Sequence, residues 1–421
     1  MRDNKFHTPF GVRDYLPNIC HLKINLERRI ESVFHQYGYS SVESPIFEYV
    51  EVLKAAGIDL KQMYTFIDRD GEILALRSDI TPAIARIAAT SYGKDDIPLR
   101  FCYTGHAFRY NKSYQGKLRE FAQSGIELIG INSPQANGEA LAVAIHCLQA
   151  AGLLHFRIDI GQVEFLKGAL EEGNFSNEES LALQQYMLEK NYVAVEEALQ
   201  LKEVPKGIKK LLSDLPMYMG GLDVLDEARK LVSNKKSLAA LDDLQNVYRL
   251  LEEQQLNSYI SFDLSMMGHL GYYTGIIFSG YTRGCGFSVL DGGRYDKLLS
   301  AFGAPWPSTG FAVKINDLLS ALQNQKAEPD ASLSATLLVC TEAGRRTAQR
   351  TADVLRKQGL IIENSLLGDN LQANTSYARH KKMGGILYFA DEERVQVIDL
   401  STGTHTDITI AELLQKGGSA R

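Results

Sequence analysis

Residues 101–130 read FCYTGHAFRYNKSYQGKLREFAQSGIELIG, and their pattern sets the fold. Two strands are expected, Phe101–Arg109 and Phe121–Ile129, joined by a polar, basic loop carrying Gly116. Along the second strand, alternation puts Gln123, Gly125 and Glu127 on one face and Ala122, Ser124, Ile126 and Leu128 on the other. The polar face fits either a sheet surface wetted by solvent or the floor of a pocket. Gly125 points to the floor, because an interior strand glycine weakens a sheet unless something must approach the backbone closely.

Working outward, 421 residues are enough for a large core and at least one further domain. The 45 basic and 51 acidic residues give a formal charge of -6, so no overall positive excess marks nucleic acid as the main partner. Cys20, Cys102, Cys147, Cys285 and Cys340 are scattered and never spaced as CxxC, which argues against a disulfide framework or a zinc site and for reducing cytoplasm. The N-terminus lacks an apolar run of signal-peptide type, and no later segment is expected to span a membrane.

Leu22, Leu26, Ile30, Val33, Phe34 and Tyr37 recur at helical spacing, with Gly38 placed to end the helix, and Tyr39–Ile46 follows as an extended segment containing Pro45. LALRSDITPAIAR, residues 74–86, reads as a strand entering a helix, with Asp79 or Thr81 as N-cap and Pro82 in the first turn. Residues 134–153 are helical, HFRIDIGQVEFL supplies another strand, and residues from about 165 to 258 are helical throughout, broken at Pro205 and Pro216. Residues 324–334, NQKAEPDASLS, form a linker between a domain at 1–323 and a smaller one at 335–421. The latter reads β–α–β–α–β, a small doubly wound unit, through ATLLVC, a helix around Arg345–Gln358 stopped by Gly359, LIIE, a helix to Met383, and GILYFA. The fold class is α+β, and the Gly pairs at 284–286 and 292–293 lack the strand-to-helix context of a dinucleotide fingerprint.

FRYNKSYQGKLREFAQSGIE resembles motif 2 of the class II aminoacyl-tRNA synthetase fold in its histidyl branch, and GYYTGIIFSGYTRGCGFSVLDGGRYDKLLSAFG resembles that branch's two histidine signatures. The resemblance implies an antiparallel sheet flanked by helices, a helical insertion, an anticodon-binding-like C-terminal domain, and a homodimer formed through the motif 1 region around Tyr39–Ile46. It also implies a histidine pocket. Asp79, Thr81 and Gln123 match the amino-group end, and Glu127 and Tyr273 match the two sides of the imidazole. Asp79 is one methylene shorter than the family's Glu. Tyr272 and Tyr295 fit aromatic core as well as a pocket wall.

The ATP side departs from the family. Arg109 is kept, but the second motif 2 arginine falls on Lys117, a point charge where the family has a fork. The first histidine signature reads Gly268-His269-Leu270-Gly271, so its Arg and Asp have become Gly268 and Gly271. Asp317 stands where motif 3 carries an Arg, an anion where a triphosphate needs a cation. Arg109 or a backbone N–H must then hold the carboxylate of a bound histidine, and His269, with no carboxylate fixed beside it by sequence, reads as a packed side chain.

A histidine pocket kept while the ATP machinery is dismantled resembles the regulatory subunit of ATP phosphoribosyltransferase, a synthetase paralogue without aminoacylation. That resemblance implies no catalytic residue, cofactor or metal in this chain, with partnership to a short-form catalytic subunit and L-histidine as feedback signal. The retained C-terminal domain keeps two alternatives open, a histidine-tRNA ligase with an atypical ATP site and a synthetase-like histidine or tRNA sensor. Balanced charge and the lack of basic and aromatic interleaving there argue against tRNA.

Overall fold

A computed structural model describes residues 7–110, 117–267, 272–325 and 335–417. The chain divides into two compact units, Met1–Ala327 and Glu328–Arg421.

The first unit is built on a nine-stranded sheet in the order Ser40–Ser41, Leu99–Phe108, Glu120–Ile129, Ser308–Lys314, Leu290–Arg294, Ile276–Thr282, Phe156–Gln162, Ile260–Asp263, Met219–Gly220. Its pairings are antiparallel except at two junctions, Ser40–Ser41 with the first long strand and Phe156–Gln162 with Ile260–Asp263, which are parallel. The motif 2 hairpin sits near one end with Cys102 opposite Ile126 and Tyr103 opposite Gly125. Its apolar face, with Ile126 and Leu128, is buried in the core that also holds Leu26, Ile30 and Phe34 of the helix Pro17–Gln36 and Leu141 and Ile145 of the helix Pro134–Ala150. Each such fully buried side chain contributes about 1.5–3 kcal/mol. The polar face is equally buried. Gln123 and Glu127 are 7% and 1% exposed, so the alternative of a sheet face wetted by water is overturned.

The helix Pro17–Gln36 carries proline in its first turn and gives way after Tyr37 to Gly38, whose φ of 78° is left-handed, as glycine allows without strain. A smaller three-stranded sheet, in the order Phe47–Tyr49, Ile73–Leu76, Thr65–Ile67, precedes the helix Thr81–Ser91. Between Val163 and Glu253 the chain forms six α-helices and one short 3-10 turn among the described residues. Contrary to the expectation of helix throughout, Met219–Gly220 breaks the series by pairing at the far edge of the large sheet. A short extended segment next to an open strand satisfies its backbone there without helical periodicity.

The second unit has a five-stranded sheet ordered Ile362–Asn364, Thr336–Cys340, Gly385–Phe389, Arg394–Asp399, His405–Thr409. The first three strands are parallel and connected through the helices Arg345–Lys357 and Leu371–His380, which is the expected β–α–β–α–β run. An antiparallel pair, Arg394–Asp399 and His405–Thr409, and a helix starting at Ile410 extend it.

Candidate functional site

The site is built where the helix Thr81–Ser91 meets the motif 2 hairpin. Asp79 just precedes the helix, and its Oδ1 accepts from the Ile80 backbone N–H at 2.8 Å. Neither Asp79 nor Thr81 is the N-cap, contrary to expectation, because that position falls on Ile80. Thr81 is already the first helical residue, and its hydroxyl donates to Glu127 Oε1 at 2.7 Å, pairing a buried carboxyl oxygen. The second oxygen of Glu127 accepts from the Tyr295 hydroxyl. The Tyr272 hydroxyl donates to Asp79 Oδ2 at 3.2 Å. Asp79, Thr81, Glu127, Tyr272 and Tyr295 thus form two linked buried clusters around two carboxyl groups.

Three glycines make room for this. Glu127 lies against Gly310 on the neighbouring strand, where a Cβ would collide with its Oε2 and with the Ile126 carbonyl. The Tyr273 ring covers Gly293, within 2.9 Å of where a Cβ would stand. What approaches Gly125 is the protein itself, namely the Phe311 carbonyl and the Tyr103 hydroxyl, the latter 2.6 Å from the Cβ position. The floor is real, but tyrosine covers that part of it.

Burial raises the pKa of Glu127 to about 8; the bonds from Tyr295 and Thr81 oppose the rise and the charge of Asp79 adds to it. Burial also raises Asp79, countered chiefly by Arg109. Two carboxyl groups in one dry enclosure cannot both ionise cheaply. Such a group near neutrality can exchange a hydrogen bond with an imidazole in either protonation state.

Tyr272 packs between Tyr273, at 4.9 Å between centroids, and Tyr295, edge-on at 5.6 Å. Tyr295 therefore fills both roles left open for it, as core side chain and as hydrogen-bond partner of the site. Arg109 donates from Nη2 to the Ser78 carbonyl at 3.0 Å and covers the Phe121 ring at 5.6 Å. Its Nε and the Gln123 Oε1 are buried without a hydrogen-bond partner among the described residues. One is a donor and the other an acceptor, suited to the carboxylate and ammonium of an amino acid. Gly116, Gly268, His269 and Gly271 lie outside the described residues.

Asp317 lies in the first turn of the helix Ile315–Asn324. Burial raises its pKa, while Lys314, Lys117 and Arg13 lower it. Two of these cations, Lys117 and Arg13, come from distant parts of the chain, and the Asp291 carboxylate opposes them. Lys314 also pairs with Asp291 at 2.5 Å and donates to Ser288 Oγ at 2.7 Å. Sequence reasoning missed Tyr103, Gly293 and Gly310. Their signal was available as further interior strand glycines and as the residue opposite Gly125 in the hairpin register. Among the described residues no group of His, Cys, Asp or Glu is arranged to hold a metal ion, and no helix is long and apolar enough to cross a membrane.

The fold and this site define a class II synthetase-like protein of the histidyl type, and a sequence profile of the family described as Histidyl-tRNA synthetase matches residues 11–318. A histidyl-tRNA synthetase structure from Nostoc sp. superposes with a TM-score of 0.84 over 99% of both chains, at 21% identity, and supports the fold alone. The chain itself belongs to the ATP phosphoribosyltransferase regulatory subunit family. It is 42% identical to that subunit from Acetivibrio thermocellus, covering 99% of this chain and all of the relative, and 38% identical to the one from Ruminiclostridium cellulolyticum, covering 97% and 98%. A solved structure from Bacillus halodurans, described as an ATP phosphoribosyltransferase regulatory subunit/histidyl-tRNA synthetase, is 31% identical, with a TM-score of 0.81 over 92% of this chain and 98% of its own.

Proposed function

We propose that this chain is a non-catalytic regulatory subunit that binds L-histidine at the Glu127 site and activates a short-form ATP phosphoribosyltransferase catalytic subunit in the cytoplasm. The observation that carries the reading is the Glu127 carboxyl, buried between Thr81 and Tyr295 with its pKa near neutrality, an environment suited to an imidazole. The unpartnered Arg109 Nε and Gln123 Oε1 supply the other end of the amino acid. Histidine regulates by favouring one arrangement of the complex over another, with a coupling of roughly 1–3 kcal/mol.

A homodimer through the motif 1 region is part of the proposal. Phe47, Tyr49 and Phe66, all exposed, share one face of the small sheet. Contiguous apolar surface of this kind is what an isologous interface covers.

Calorimetric titration tests the site, with L-histidine expected to bind and Glu127→Gln to weaken it. Mixing with a short catalytic subunit is expected to yield ATP phosphoribosyl transfer that L-histidine inhibits. Histidine-dependent exchange of pyrophosphate into ATP by this chain alone would overturn the reading in favour of a ligase.

A further inference from the structure

A cavity of about 230 Å³ lies on the far side of the sheet from Glu127. On the strand Leu290–Arg294, Gly293 faces Tyr273, and Arg294, one residue on, faces the other way. Arg294 lines this cavity together with Asn137 from the first turns of the helix Pro134–Ala150 and Asp243 from the helix Lys235–Glu253.

Arg294 is 5% exposed and only partly used. Nε and Nη2 bind Asp296 side-on at 3.0 and 2.9 Å, and Nη2 also donates to the Ile131 carbonyl at 3.3 Å. Stitching those loops together accounts for two nitrogens. It leaves Nη1 buried with no hydrogen-bond partner among the described residues. Asn137, 8% exposed, has its Oδ1 in the same condition. Buried polar atoms left unpaired cost stability, and a donor and an acceptor orphaned on two side chains that line one cavity point to an occupant.

The charges restrict what that occupant is. A plain anion satisfies Arg294 but leaves Asn137 Oδ1 unpaired and sits close to Asp243 and Asp296. A plain cation leaves the guanidinium unmet. Asp243, which accepts from Gln162 Nε2 at 3.2 Å, has its pKa raised by burial and so gains from a nearby cationic donor. We propose that this cavity is a second amino-acid site, taking a small zwitterion whose carboxylate accepts from Arg294 Nη1 and whose ammonium donates to Asn137 Oδ1 and Asp243. Its volume is below the roughly 300–1,000 Å³ of drug-sized ligand sites, which suits a metabolite of that class.

The two sites share backbone. Tyr295 stands between Arg294 and Asp296, and Tyr272 and Tyr273 run directly into Thr274–Ile276, which line the cavity. Thr274 N–H donates to the Arg294 carbonyl at 2.8 Å, and Asp296 N–H to Thr274 Oγ1 at 2.9 Å. An occupant that fixes Arg294 therefore acts on the segments carrying three tyrosines of the Glu127 site, and the two ligands are linked reciprocally.

The test is calorimetric titration of the full chain with glycine, L-serine, L-histidine and, as a plain anion, sulfate. Wild type is compared with Asn137→Ala, Asn137→Leu and Glu127→Gln. Asn137→Ala removes an atom that has no partner, so it is expected to fold with unchanged or higher Tm. At least one amino acid is expected to bind wild type and Glu127→Gln alike, about tenfold or more weaker in Asn137→Ala, and not at all in Asn137→Leu. The proposal is overturned if every binding event is lost in Glu127→Gln, if none responds to either Asn137 variant, if sulfate binds as tightly as the amino acids, or if nothing binds. Glu127→Gln separates the two readings. L-Histidine binding that is weakened there but indifferent to both Asn137 variants sinks this proposal and leaves the regulatory reading standing. Binding that responds only to Asn137 does the reverse, and absence of all binding overturns both.

Discussion

Thr81 Oγ1 donates to Glu127 Oε1 at 2.7 Å, joining the first turn of a helix to the centre of the sheet. The bond stabilises the ionised carboxyl, yet burial outweighs it and the pKa stays at about 8. The folded state therefore keeps a proton on Glu127 that the unfolded chain, titrating near 4.5, releases. With more protons bound in the folded state, stability is fully present below about pH 4.5 and is lost as pH rises through about 8. Glu127→Gln mimics the protonated form. Its urea midpoint is expected to decline less between pH 5 and 8.5 than that of wild type, the difference reaching on the order of 2 kcal/mol at the alkaline end.

Tyr295→Phe tests the other half of the cage. Its hydroxyl donates to the second oxygen of Glu127, and losing that donor raises the carboxyl's pKa further. L-Histidine affinity at pH 7 is expected to fall about five- to thirtyfold in a calorimetric titration, with stability lowered by about 1–2 kcal/mol because the carboxyl oxygen is left unpaired. An unchanged affinity would assign Tyr295 to packing alone.

Gly310 and Gly286 form a contrasting pair. A Cβ on Gly310 meets the Glu127 carboxyl and the Ile126 carbonyl, and the backbone cannot yield without disturbing the ladder. Gly310→Ala is expected to cost about 2–4 kcal/mol and to abolish histidine binding. Gly286 has open space around the same position, so Gly286→Ala is expected to stay within about 0.5 kcal/mol of wild type. Chemical denaturation of both variants checks the pair.

The Phe47 and Phe66 rings meet edge-on at 5.9 Å on the exposed small sheet. Phe66→Glu places a charge on the exposed apolar face that also carries Phe47, next after the motif 1 segment Tyr39–Ile46, where it is expected to weaken self-association at least tenfold. Sedimentation equilibrium measures this directly. A monomeric wild-type chain would remove the homodimer from the proposal.

Local patterning made the motif 2 hairpin, the first helix and the β–α–β–α–β run of the second unit readable, because each rests on one periodicity and a terminating glycine such as Gly38 or Gly359. Asp79, Thr81, Glu127 and Tyr295 were named through resemblance, but their partners were not legible. Thr81 reads as a helix cap until Glu127 is brought beside it from 46 residues away. The order of nine strands, the terminal hairpin Arg394–Thr409 and the orphaned Arg294 depend on contacts between distant segments, for which one sequence carries no local signal.

Asp317 gives the last prediction, and it runs against simple restoration of the synthetase pattern. Burial and Asp291 raise the pKa of its carboxyl while Lys314, Lys117 and Arg13 lower it, so the position feels nearby cations as well as departing from motif 3. Asp317→Arg removes that carboxyl and adds a fourth positive charge, which is expected to cost about 1–2 kcal/mol at low salt and less as salt screens the repulsion. The added guanidinium supplies a forked donor for phosphate oxygens in a neighbourhood that already feels Lys117 and Arg13. Tripolyphosphate is expected to raise the Tm of Asp317→Arg by several degrees and that of wild type hardly at all, a comparison that differential scanning fluorimetry makes at matched ionic strength. Equal shifts in the two proteins would mean that Asp317 does not guard this end of the site against phosphate.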